Sequence, residues 1–183
     1  MRAALREEKE MDRHMKRNMD LDKIQALKER MVEFYRGCPE QIQHFLKVYA
    51  FAEMIGEAEG LDEHTLFLLK STALVHDIGI RPAKEKYGYS NGKLQEQEGP
   101  AEARRLLDEL GYGEADRERI CYLVGHHHTY TGVDGLDYRI LLEADFLVNG
   151  YEEKMSREAL THGLSVVFET ETGKRLLKTM FDV

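Results

Sequence analysis

The chain has 183 residues, 42% hydrophobic and 33% charged. That suits one domain burying roughly 70% of its unfolded surface, and it is too apolar for a disordered chain and too charged for a membrane protein. A formal net charge of -8 argues against general affinity for nucleic acid, which needs Lys and Arg to displace counterions, but a local basic patch or a metal can still attract a small anionic substrate. Cys38 and Cys121 lie far apart, form no Cys-x-x-Cys pair and are too few for a disulfide framework. Together with a charged start (Arg6, Glu7, Glu8, Lys9, Glu10) and no run approaching roughly 20 apolar residues, they predict a cytoplasmic protein, neither secreted nor membrane-embedded.

The chain reads as a series of helices, because β-branched residues in strict alternation are nearly absent. Residues 1–19 form a charged, Met-rich N-terminal extension, helical or partly disordered, and residues 20–183 a single domain. The first helix of that domain spans about 20–35, with Ile24, Leu27, Met31 and Phe34 at helical spacing and Gly37 as its stop. A second runs 39–59, with Phe45, Val48, Phe51 and Ile55 on its apolar face. Asp62 caps a third, 63–77. Residues 80–92, rich in Tyr, Gly and Lys, read as a loop able to cover a site. Further helices follow over 94–110, 115–128 and 136–149, separated by Gly111–Gly113 and by a turn cluster at 129–135. One or two shorter helices fill 156–180. The prolines, at 39, 82 and 100, each sit where a helix can begin.

Ligand-type residues fall on the inward faces of these helices. Leu66, Leu69 and Ala73 form a stripe whose continuation is His76 and Asp77. His44 shares a face with Val48, Phe51 and Ile55. Asp145 shares one with Leu141 and Val148, where a carboxylate is out of place in a purely structural core. Taken alone, an inward His is as a rule a satisfied core residue, and a His-Asp pair is as a rule inert. Four such residues on three helices are hard to explain one by one. Two imidazoles and two carboxylates suit Mn, Fe, Co, Ni or Zn and leave coordination positions open for water and substrate.

The order His44, then His76-Asp77 followed by Ile78-Gly79, then Asp145 within Glu-Ala-Asp-Phe-Leu, resembles the HD superfamily of metal-dependent phosphohydrolases over about residues 40–150. The resemblance implies an all-α HD-domain helical bundle, with His44, His76, Asp77 and Asp145 as ligands of a divalent transition metal. The absence of a Gly-Tyr-Pro element after the His run sets the chain apart from the HD-GYP branch.

Related proteins with a second metal carry further His ligands near Gly125-His126-His127-His128 and in the helix before it, at a position that is Gln95 here. Gln is a poor ligand, so a mononuclear site is preferred, with Glu96 or Glu98 as substitutes if a second metal binds. His127 continues the face of Ile120 and Leu123, and His126 is the next inward candidate. A solvated helix end accounts for His128, as solvation does for His14, His64 and His162.

The resemblance implies hydrolysis of a small phosphorylated substrate, a nucleotide or another phosphometabolite. Asp77 would orient or deprotonate water, and His127 or His126 would stabilise charge or protonate the leaving oxygen, giving phosphomonoester or phosphodiester hydrolysis. Arg81, Lys84 and Lys86, and more weakly Lys47, are candidate phosphate contacts, although an ordinary solvated charge run explains them too. Two alternatives stay open: a binuclear iron oxygenase, and a non-catalytic nucleotide-binding signalling module.

Overall fold

A computed structural model of the chain describes residues 2–183, and the side chains of residues 10, 11 and 14–183. Among these residues there are nine helices and no strand: α1 (Arg2–Phe34), α2 (Pro39–Ala58), α3 (Glu63–Val75), α4 (Ile80–Tyr87), α5 (Gly92–Glu109), α6 (Glu114–Val124), α7 (Leu136–Glu152), α8 (Arg157–Val166) and α9 (Glu171–Phe181). The all-α architecture is the one expected from the sequence. No helix among the described residues is long and apolar enough to cross a membrane.

Helix starts follow local chemistry. Pro39 occupies the first turn of α2, where its missing N–H costs nothing. The Asp62 carboxylate accepts from the amides of His64 and Thr65 at 3.0 Å each. Asn91, Ser156 and Thr170 cap α5, α8 and α9 in the same way.

At the centre stands α3, packed against α1, α2, α6 and α7. Every residue from Phe67 to Val75 is buried, as expected of a helix surrounded by others. Its Phe67, Leu68, Leu74 and Val75 join α1, α5 and α6 in one apolar cluster, while Leu69 and Ala73 join α2, α7, α8 and α9 in another. The polar residues of this stretch are partnered: Thr72 Oγ1 donates to the Leu68 carbonyl at 2.8 Å, Ser71 Oγ meets Tyr112 Oη at 3.1 Å, and Lys70 Nζ pairs with Glu53. The end of α3 therefore projects into the interior, between the two clusters.

Three expectations need correction. Residues 80–87 are the helix α4, not a loop. Pro82 is its third residue, where no intrahelical amide bond is lost, and Gly88, at φ 82°, closes it in the left-handed conformation. Pro100 lies inside α5 instead of starting a helix. The helix expected over 136–149 continues to Glu152, which places one more carboxylate on the face of Asp145.

Candidate metal centre

Four segments deliver the site. His44 comes from the middle of α2, His76 and Asp77 from the turn that ends α3, Asp145 from α7, and His127 and His128 from the turn after α6. His44, His76, His127 and Asp145 are buried. Asp77 is more open than Asp145, with side-chain exposures of 18% and 5%, so solvent reaches the group from the Asp77 side.

The turn that carries His76 and Asp77 is held from outside. Ile78 N donates to Val75 O at 2.9 Å, Ile80 N to Asp77 O at 3.0 Å, and the Tyr35 hydroxyl to the same Asp77 carbonyl at 2.7 Å. Gly79 lets this turn sit on α5: a Cβ there would lie 2.4 Å from the Gln95 carbonyl oxygen and 2.9 Å from Gly99 N. The glycine of His-Asp-Ile-Gly thus answers a close backbone approach and not an unusual φ.

The tautomers follow from the outer nitrogens. His76 Nδ1 is 2.9 Å from Ala73 O, and His127 Nδ1 is 2.7 Å from Val124 O; a carbonyl only accepts, so each Nδ1 carries a proton. His44 Nδ1 lies 2.8 Å from Glu152 Oε2 and donates in the same way. Each ring, when neutral, then turns an Nε2 lone pair inward. His44 Nε2 and His76 Nε2 face one another at 3.2 Å. Asp145 Oδ1 is 3.2 Å from the first and 3.5 Å from the second, and Asp77 Oδ2 is 3.5 and 3.7 Å from them. On the far side of Asp77, Oδ1 lies 3.3 Å from His127 Nε2. Asp145 Oδ1 and His127 Nε2 are buried without a hydrogen-bond partner.

Lone pairs converging without donors between them are costly in a buried site unless protons or a cation join them. The electrostatics of the cluster make the same demand for positive charge. Burial works against a charged His44, but the Asp145 contact and the charges of Asp77 and Asp145 lift its pKa to about 9. Burial also opposes a charged His127, and Asp77 outweighs it, raising that pKa. Both aspartates should be pushed up by burial, yet His44 and His76 hold Asp145, and His76 and His127 hold Asp77, well below the usual carboxylate range. Histidine, aspartate and the inward geometry together fit a borderline divalent cation. Ligand-type atoms lie within 4.8 Å of one another in two groups, His44/His76/Asp145 and Asp77/His127/His128.

The remaining sequence candidates separate from this centre. His126 points its Nδ1 at Tyr122 O, 2.6 Å away, and packs on the Tyr122 ring. Arg81 donates to Glu85 and to the Phe34 carbonyl, and Lys86 pairs with Glu98. Arg81 and Lys84 line a cleft of about 510 Å³ with Phe34, Cys38 and Gln41; the metal-type cluster does not line it. Glu98 is engaged by Lys86 and Tyr87, and Glu96 accepts from His128 N and Thr129 Oγ1, so neither carboxylate stands in for a missing ligand.

His128 is a correction in the other direction. It is half-buried, its Nε2 is 2.6 Å from Gln95 Oε1, and burial beside His127 pushes its pKa down to about 4. Residues 125–128 are turn and not helix, so a helical face carried past Val124 misplaces it. Glu152 was not among the expected residues. Burial pushes its carboxyl up, but hydrogen bonds from Lys47 and His44 outweigh that and hold it low. The sequence signal for it is its place two turns beyond Asp145.

The curated proteins contain no match to this chain. Among solved structures it is similar to a predicted HD superfamily hydrolase from an uncultured Thermotogales bacterium, with TM-score 0.62 and 23% identity over 86% of this chain and 84% of that one. It is also similar to YpgQ of Bacillus subtilis, with TM-score 0.64 and 16% identity over 88% and 87%. At these identities the likeness is one of fold. The family model for the HD domain matches residues 42–161, a span that contains every member of the cluster from His44 to Asp145. With the helical fold and that match together, the chain belongs to the HD domain family.

Proposed function

We propose that this protein is a phosphohydrolase that cleaves a phosphoester of a small molecule, a nucleotide or another phosphometabolite, at a divalent transition metal held by His44, His76, Asp77 and Asp145. The observation that carries the reading is the pair of Nε2 lone pairs of His44 and His76, 3.2 Å apart, with the Asp145 and Asp77 carboxylates beside them. The Thermotogales fold neighbour, a predicted HD superfamily hydrolase, supports the same reading. When bound, a cation of this kind supplies Lewis acidity at a phosphoryl oxygen and acidifies water.

The chain's own groups divide the rest of the work. Asp77 Oδ2 lies toward His44 and His76, whereas Oδ1 faces His127, so Asp77 joins the ligand group to the proton-handling group. Asp77 Oδ1 accepts the proton that water loses as it adds to phosphorus. His127 Nε2 holds a proton against Asp77 and delivers it to the departing oxygen, which leaves as the alcohol. His127 Nδ1 stays tied to Val124 O throughout, which fixes the ring's direction. His126, turned to Tyr122, takes no part in this scheme, and Arg81, Lys84 and Lys86 are assigned no phosphate contact.

A second reading, with two cations, draws on the Asp77/His127/His128 group. One cation is preferred because Gln95 Oε1 already engages His128 Nε2 and because Glu96 and Glu98 are engaged elsewhere. The test is phosphate release from a panel of nucleotides and sugar phosphates with Mn, Co or Ni added, compared with Asp77→Ala. Release that depends on metal and disappears in the variant is expected. Release that persists in Asp77→Ala would overturn the assignment.

A further inference from the structure

His44 differs from the other imidazoles in what holds its outer nitrogen. His76 and His127 each stand in a turn just past a helix end and donate Nδ1–H to a carbonyl three residues back. His44 stands inside α2, where the helix's own amides occupy the carbonyls. Its Nδ1 donates instead to Glu152 Oε2 at 2.8 Å, and the other oxygen, Oε1, accepts from Lys47 Nζ at 2.5 Å. Glu152 is the last residue of α7 and lies on the same helix as Asp145, whose Oδ1 faces His44 Nε2 at 3.2 Å. One helix therefore grips the ring from both sides.

We propose that Glu152 is a positioning residue for the metal centre: through Nδ1–H it fixes the tautomer and orientation of His44 and makes Nε2 a stronger donor to the cation, while Lys47 holds the carboxylate in place. Such outer partners of metal-bound histidines set ligand direction and basicity. This inference rests on His44 being a ligand, as argued above. The competing role is an ion pair that merely joins α2 to α7. Lys47 is 39% exposed and Glu152 29%, and pairs so open to water contribute little as staples.

The experiment compares the full-length chain with its Glu152→Gln and Glu152→Ala variants. Cobalt(II) affinity is measured by chelator competition, thermal midpoint is measured alongside, and the His44 tautomer is read by nitrogen NMR in metal-free protein held above the His44 pKa of about 9, where the ring is neutral. Glu152→Ala is expected to bind cobalt about 10- to 100-fold more weakly with little change in midpoint and with His44 no longer uniformly protonated at Nδ1. Glu152→Gln keeps an acceptor but not the charge, so it is expected to fall between and to retain the tautomer. Cobalt affinity equal to the parent's in both variants overturns the proposal. If the parent chain itself binds no cobalt, the metal reading fails separately, and the tautomer then decides: loss of Nδ1–H in Glu152→Ala supports positioning by Glu152, and its retention overturns it.

Discussion

Two polar regions meet at Asp77, and they are built on opposite terms. On the α2, α3 and α7 side, His44, His76 and Asp145 turn lone pairs toward one another, and Asp145 Oδ1 finds no donor. Next to α5, the polar groups satisfy each other: Gln95 takes His128, and Glu96 takes the His128 amide and the Thr129 hydroxyl. Both regions are rich in residues that can bind metal, yet Gln95, Glu96 and His128 are partnered by the protein, whereas Asp145 Oδ1 and, between the two regions, His127 Nε2 are not. The difference teaches that a candidate ligand is recognised less by residue type than by whether its inner atom already has a partner.

The largest effect should come from the incomplete side. His76→Ala or Asp145→Ala should weaken manganese binding more than about 100-fold, beyond what loss of an outer partner costs, and should abolish phosphate release; equilibrium dialysis reads the first and a phosphate assay the second. Wild-type manganese affinity in Asp145→Ala would move the centre elsewhere. His127 stands between the regions. His127→Ala should lower kcat by about 10²- to 10⁴-fold and leave manganese affinity nearly unchanged, whereas a loss confined to affinity would make His127 a ligand instead of a proton donor.

Smaller effects should mark the satisfied side. Gly79→Ala forces a Cβ onto the Gln95 carbonyl oxygen and should cost about 1–3 kcal/mol in a urea titration, because backbone has to move. Glu96→Ala should cost about 1 kcal/mol through its two donors, with no change in metal content; lost metal would instead place Glu96 in the centre. Smallest is His126→Ala, expected within about 0.5 kcal/mol of the parent and at near-parental kcat, since its ring faces Tyr122.

The same contrast sorts what the sequence made legible. His44, His76 and Asp77 stand at the ends of apolar stripes and Asp145 within one, so helical periodicity alone turned them inward, and the HD resemblance suggested a shared purpose. The helices themselves were readable where the apolar stripes were long. Periodicity could not reach His128, because the helix ends at Val124 and a turn follows. It could not find α4, eight residues long with four of them charged, with Pro82 and Gly88 reading as loop signals until their first-turn and C-cap roles are seen. Glu152 was hidden by a helix end read three residues too early. Whether Gln95 and Glu96 serve a metal or His128 and Thr129 depends on distances between α5 and the turn after α6, which no local pattern carries.

The most direct test is elemental analysis of anaerobically purified protein, made without a His tag. The account predicts about one equivalent of a divalent transition metal per chain, lost in His76→Ala. No bound metal in the parent, even after Mn, Fe, Co, Ni and Zn have each been offered back, would contradict it and leave the facing imidazoles and carboxylates as a protonated structural network.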